Sequence, residues 1–183
     1  MDAVTLYSIG HSNRAFQELL EILRAAGITT LVDVRAYPRS RRHPQFDADA
    51  LRARLSTAAI AYHWAGRQLG GRRRPRPRSP HRALRDEGLR AYADHMDTAA
   101  FRAGAARLVN LAAASSAAML CAEREPAECH RSLLADYLTL QGVHVRHLVQ
   151  FGETREHVLR PEARRESATL IYDRHASGAL GLD

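Results

Sequence analysis

The chain has 183 residues, 45% of them apolar, with a formal net charge of +7 and two cysteines. That length and apolar content suit one α/β domain with a real core, and they exclude global disorder. No basic segment leading into an apolar run opens the chain, and the longest apolar stretch, Leu108 to Ala122, is broken by Asn110, Ser115 and Ser116; neither an export signal nor a membrane span is expected, and the two cysteines read as reduced thiols in a cytoplasmic protein.

Val4 to Ile9 (VTLYSI) is a β-rich run ending at Gly10 and predicts a buried strand. After Gly10-His11-Ser12-Asn13, apolar Phe16, Leu19, Leu20 and Leu23 share one helical face, with Ser12 or Asn13 as the expected N-cap and Gly27 as the stop. Ile28 to Val34 reads as a second strand, so the first 35 residues form a βαβ unit that favours a parallel sheet. Arg35 to Phe46 is loop-like. Asp47 to Leu55 follows as a short helix capped by Asp47, and Ile60 to Trp64 as a third strand that runs into Gly66 and Leu69-Gly70-Gly71.

Arg72 to Pro80 alternates prolines with mutually repelling cations and predicts no regular structure. Helical spacing returns over Leu89–Met96 and Ala99–Ala113, followed by a strand at Ala117–Cys121, a helix at Glu128–Leu140 stopped by Gly142, and an alternating strand at Val143–Val149. The last thirty residues are charged and mixed, with one β-like run at Thr169–Tyr172. The expectation is a single three-layer α/β domain over residues 1–150, a mainly parallel sheet of about five strands with helices on both faces. Residues 151–183 are expected to pack on it as an extension.

The charge is local. All 27 cations are arginine, which suits phosphate and carboxylate partners, although a GC-rich coding sequence would also favour arginine and alanine. Arg67, Arg72, Arg73, Arg74, Arg76, Arg78, Arg82 and Arg85 put +8 into residues 67–85, which hold no acid, and leave −1 for the rest of a +7 chain.

In open parallel sheets, ligands bind beyond the carboxyl ends of the strands. Those positions hold His11 and Ser12, Asp33 and Arg35, Trp64 to Gly71, and Cys121 and Glu123. Turns recruit Gly, Asn, Asp, Ser and Pro for backbone reasons; His, Arg, Cys and Glu need another reason. His11 is a candidate general acid–base, Ser12 and its neighbours a candidate anion cradle, and Asp33 a carboxylate paired with Arg35 or His11. Cys121-Ala122-Glu123 and Cys129-His130-Arg131 allow a reactive thiol, a redox pair, or a metal site from Cys121, Cys129 and His130 or His11. A buried strand cysteine with an incidental helix-cap cysteine accounts for the same residues.

Ser8-Ile9-Gly10-His11-Ser12, then Leu31-Val32-Asp33-Val34-Arg35 with Pro38, Ser40 and Phe46, resemble segments of the domain of unknown function 488 family. So, in the same order, do Leu69-Gly70-Gly71, Cys121-Ala122-Glu123, Cys129-His130-Arg131 and the strand His144–Leu148. The resemblance spans roughly residues 4–150 and implies an α/β domain with its signature residues at one end of the sheet; it implies no activity. The arginine–proline stretch after Gly71 is richer in arginine than the family pattern.

These readings converge on an enzyme-like domain binding an anionic small molecule or nucleic acid, with His11, Asp33, Glu123 and Cys129 as catalytic candidates. Ser12, Arg35, Ser40, Gly70, Gly71 and Arg131 are the binding candidates. Cys121, Cys129 and His130 are the candidates for a divalent metal. A non-catalytic nucleic-acid-binding module using the arginine loop, and a Cys/His metal or redox sensor, are the alternatives.

Overall fold

Apolar side chains alternate along the central strands and split the core into two layers, one on each face of a sheet. The computed structural model describes residues 3–174. Six strands, β1 (Thr5–Gly10), β2 (Thr30–Asp33), β3 (Ala61–Trp64), β4 (Ala117–Cys121), β5 (His144–Gln150) and β6 (Glu153–Glu156), form one sheet in the order β3-β2-β4-β1-β5-β6. Every pairing is parallel except β5 with β6. Ile9, Leu31, Ala118 and Leu120 bury one face against α1 (Phe16–Ala25) and α2 (Ala48–Ser56). Leu6, Val32, Met119 and Cys121 bury the other with α3 (Gly66–Leu69), α4 (Glu87–Met96), α5 (Ala99–Ala114) and α6 (Arg131–Leu140). No helix of the described residues is long and apolar enough to cross a membrane.

The chain order creates a reversal at the centre of the sheet. From β1 the chain passes through α1 to β2, on the far side of β4; from β4 it passes through α6 to β5, on the far side of β1. Adjacent strands whose connections leave in opposite directions open a crevice at their carboxyl ends. There the backbones stay joined: His11 N–H donates to Cys121 O at 3.0 Å and Ser12 N–H to Ala122 O at 2.7 Å. Gly10 makes this approach possible, because a Cβ there would lie 1.7 Å from the Glu123 carbonyl oxygen.

Several local expectations are corrected. The five expected strands are joined by a sixth, because the charged segment Glu153–Glu156 pairs antiparallel with β5. Within the first βαβ unit, β4 lies between β1 and β2. α1 starts after Ala15 without a side-chain cap, and Ser12 instead takes a left-handed φ of +47° in the strand-end turn. Asp47 precedes α2 as expected, but its Oδ1 accepts from Ser40 N–H at 2.7 Å rather than capping the helix. α6 begins at Arg131, after a 3-10 turn at Pro126–Glu128, so Cys129 precedes the helix instead of starting it.

β7 (Ala163–Glu166) and β8 (Thr169–Tyr172) form a separate hairpin that sends Leu170 and Tyr172 into the α4–α6 layer. Asp136 of α6, fully buried, anchors this segment. It accepts from Tyr172 O–H at 2.9 Å, Arg160 N–H at 3.2 Å and His157 Nε2–H at 2.8 Å. His157 Nδ1 meets His147 Nε2 at 2.9 Å, and His147 Nδ1 meets the Ser8 hydroxyl at 3.0 Å. Burial pushes His147 down to about 3, so it is neutral, and the chain closes with one proton per bond from Ser8 to Asp136.

Replacing Asp136 strips the acceptor from three donors at once. D136A is expected to lose about 2–4 kcal/mol, read from urea unfolding. Amides of β6 to β8 should then exchange faster than those of β1, β2 and β4; uniform exchange across the chain would refute the anchoring role.

Candidate functional site

β2 ends in Asp33, whose side chain is completely buried and fully hydrogen-bonded. Arg35 grips it bidentately, Nε to Oδ1 at 2.9 Å and Nη2 to Oδ2 at 2.6 Å, while Arg35 N–H adds 3.1 Å and Tyr62 O–H from β3 adds 2.7 Å. A buried carboxylate needs this much compensation for its lost hydration. The same guanidinium donates from Nη2 to Phe46 O at 2.7 Å, which pins the far end of the 36–46 loop, and from Nη1 to His11 Nε2 at 3.2 Å.

His11 donates from Nδ1 to Ser12 O at 2.9 Å and stacks on Phe46 with centroids 4.4 Å apart. Both ring nitrogens are therefore engaged. Burial pushes its pKa down to about 4, with Arg35 adding to the depression and the Ser12 carbonyl opposing it. His11 is neutral near pH 7 and serves as the acceptor that completes the Arg35 fork.

Across the crevice, β4 ends in Cys121 on the α6 face, and the turn before α6 brings Cys129 back to it. The sulfurs are 2.9 Å apart, with Cys129 donating to Cys121. His130 Nδ1 stands 3.8 Å from Cys121 Sγ and 3.6 Å from Cys129 Sγ. Its other nitrogen donates to Val34 O at 3.1 Å, which turns Nδ1 toward the sulfurs. Gly71 packs on this ring; a Cβ there would lie 2.4 Å from Nδ1.

The hydrogen bond from Cys129 holds the Cys121 thiol well below its ordinary range, with His130 and Arg131 helping and burial opposing. That bond and burial together push Cys129 well above it. The two sulfurs are therefore unequal, with Cys121 the more readily deprotonated of the pair. Arg131, buried behind them, donates from its backbone to Cys129 Sγ at 3.5 Å and from Nη2 to the carbonyls of Glu123 and Arg124 at 3.1 and 3.2 Å.

Both assemblies open onto one cavity of about 400 Å³. Of the residues singled out from the sequence, His11, Arg35 and Ser40 line one side, and Gly71, Cys121, Glu123, Cys129 and His130 the other. Asp33, Ser12, Gly70 and Arg131 do not reach it: Asp33 and Arg131 act through what they hold in place, Ser12 shapes the strand-end turn, and Gly70 is buried against Ala36. Among the described residues, Cys121, Cys129 and His130 form a group able to hold a metal.

Sequence reasoning missed Tyr37, Arg39 and Glu128 on the rim, and Asp86 and Leu89 from the start of α4. Tyr37, an aromatic exposed in a loop, carried a signal, as did Glu128 beside Cys129; Asp86 and Leu89 carried none, because only the fold brings them here. Of the arginine stretch, Arg72 alone reaches the cavity, with its guanidinium 5.5 Å above the Tyr37 ring. Arg73 turns back to the carbonyls of Gly70 and Arg67 at 2.8 and 2.9 Å and closes the end of α3. Arg76, Arg78 and Arg82 line a separate shallow groove.

The model of the family described as "Domain of unknown function DUF488" matches residues 15–138, and the chain belongs to that family. The match takes in Asp33 and Arg35 and the whole Cys121–Arg131 segment. No curated protein and no solved structure matches.

The His11 depression has a stability consequence. A histidine held near 4 when folded but near 6.5 when unfolded makes the unfolded chain bind the extra proton, so stability is complete above pH 6.5 and falls as the pH drops toward 4. The loss attached to His11 is about 3 kcal/mol. Urea midpoints measured from pH 7 to 4 should fall less steeply for H11N than for the parent; equal slopes would remove His11 as the cause.

Proposed function

We propose that this protein is an enzyme-like α/β domain that takes an anionic ligand of the nucleotide class into the cavity at the carboxyl ends of β1, β2 and β4. The observation that carries the reading is the meeting, in one cavity of about 400 Å³, of a dithiol–imidazole cluster with two rim arginines. That volume lies in the range of small-molecule sites. Arg39 and Arg72 are exposed and make no salt bridge among the described residues, so their charge is available to a phosphate.

The rim also carries Asp86, Glu123 and Glu128, which would repel a bare phosphate. A nucleotide answers both signs, with phosphate toward the arginines and sugar hydroxyls or base amino groups toward the carboxylates. In this arrangement Cys121 is the nucleophile or ligand, and Glu123 and Glu128 are the groups free to move a proton. Asp33, Arg35 and His11 position the wall.

One observation favours a second reading, a nucleic-acid-binding module without chemistry: Arg74, Arg76, Arg78 and Arg82 are exposed on a surface away from the cavity. Titrating a nucleoside 5′-monophosphate and a single-stranded oligonucleotide at several salt concentrations separates the two. R39S/R72S should weaken the monophosphate at least tenfold, about 1.4 kcal/mol, while R76S/R78S/R82S leaves it unchanged. If the loop variant instead flattens the salt dependence of oligonucleotide binding and the cavity variant changes nothing, the second reading stands.

A further inference from the structure

We propose that Cys121, Cys129 and His130 form a three-ligand site for a thiophilic divalent cation, zinc in the first instance, with its fourth coordination position open to the cavity. It rests on the reading of the cavity as a reaction site only for what the metal would do there; that the metal binds follows from the three side chains themselves.

The geometry is close to what zinc needs. Bond lengths of about 2.3 Å to sulfur and 2.0 Å to nitrogen, at tetrahedral angles, put ligand sulfur and nitrogen about 3.5 Å apart. The two Sγ to Nδ1 separations here are 3.8 and 3.6 Å. The same construction puts two thiolate sulfurs about 3.8 Å apart. Here they are 2.9 Å apart. Rotating the Cys129 side chain away from Cys121 widens that separation to the ligand spacing.

The surroundings are those of a ligand set as well. A ligating imidazole is oriented by donating its other N–H to a carbonyl or carboxylate, which sets the tautomer. His130 does this with Val34 O, at the end of the neighbouring strand, so Nδ1 is the nitrogen turned toward the sulfurs. The Arg131 backbone N–H donates to Cys129 Sγ, and its buried guanidinium stands behind the pair, which favours sulfur as thiolate. All three ligating residues line the cavity, so the remaining position faces solvent or ligand rather than a fourth side chain. Three protein ligands with an open position is the pattern of catalytic zinc, in contrast to the closed four-ligand structural site. Metal entry is balanced by release of the thiol protons as the two sulfurs coordinate as thiolates. The metal-bound water would then stand within the cavity that Glu123 and Glu128 line.

The chain has only two cysteines, which makes the test clean. Reduced full-length protein without a histidine tag is dialysed free of metal and titrated with Co2+ and with Zn2+. One equivalent per chain should bind, Co2+ should give tetrahedral ligand-field bands with sulfur-to-metal charge transfer, and Zn2+ should displace it. Any sulfur charge-transfer band must come from Cys121 or Cys129. C121S and C129S should abolish that spectrum, H130A should weaken Co2+ at least tenfold, and H63N, at an exposed histidine outside the site, should leave it unchanged. Should the serine variants fail to fold, the parent spectrum and H130A still decide. A reduced parent protein that binds neither metal, or an H130A protein that binds both like the parent, overturns the proposal. Protection of the cysteines from iodoacetamide by a nucleoside 5′-monophosphate in metal-free protein tests the cavity reading separately, so either can fail while the other survives.

Discussion

The site depends on a carboxylate that has no contact with water. Asp33 stands at the end of a central strand, where burying a charge costs several kcal/mol unless each lone pair is answered. Arg35, two residues on, answers most of them and directs its remaining donors to Phe46 O and His11. One ion pair therefore fixes the end of β2, the loop that follows it, the ring at the end of β1 and the Tyr62 hydroxyl of β3. Removing either charge would leave the other buried and unpaired, a loss on the order of 3–5 kcal/mol that would fall on the cavity wall itself.

The second wall is built by topology rather than by charge. The reversal between β4 and β1 opens the crevice, and it sends the chain leaving β4 up over the rim and back down into α6. That short return is why Cys129 and His130 land on Cys121, eight and nine residues away in sequence. Gly10 and Gly71 serve the same end by letting backbone and ring close where a side chain would hold them apart. Polar ionic support on one side and a dithiol–imidazole cluster on the other give the cavity walls of different chemistry.

Where a signal was local and periodic, the sequence was readable. β4 was placed to the residue and β1, β2, β3 and β5 nearly so, because apolar runs at strand length, bounded by glycine or polar turns, admit few other structures. The strand-end rule singles out His11, Asp33, Arg35, Cys121 and Glu123, and the Cys129-His130-Arg131 run adds the second cysteine and its histidine. What was not readable was set by distance. That Ser12 and Gly70 lie outside the cavity while Arg39, Asp86 and Leu89 lie on it is decided by packing between segments as far apart in sequence as those of His11 and His130, which no local pattern encodes. β6 was missed because a solvated antiparallel edge strand of charged residues carries no apolar period. The rule also could not say which nitrogen of His11 is free, and the fold shows that neither is.

The arginine surplus illustrates the same limit in electrostatic form. Counting placed +8 in residues 67–85, and a cationic loop beside a ligand site would be expected to dominate its field. The fold sends those charges to different places. Arg73 is consumed by the carbonyls that end α3, Arg76 approaches buried Asp94 at 3.9 Å, and Arg72 alone reaches the cavity. There Arg72 and Arg39 meet three rim carboxylates, so the opening is of mixed sign rather than strongly positive. A uniformly positive mouth would select for charge alone and accept any polyanion. A mouth that sets two guanidiniums among Asp86, Glu123 and Glu128 repels part of what it attracts, and each of its carboxylates would lose hydration without return if covered by a group that brings no hydrogen-bond donor. The field at this opening is therefore set by the acids as much as by the arginines.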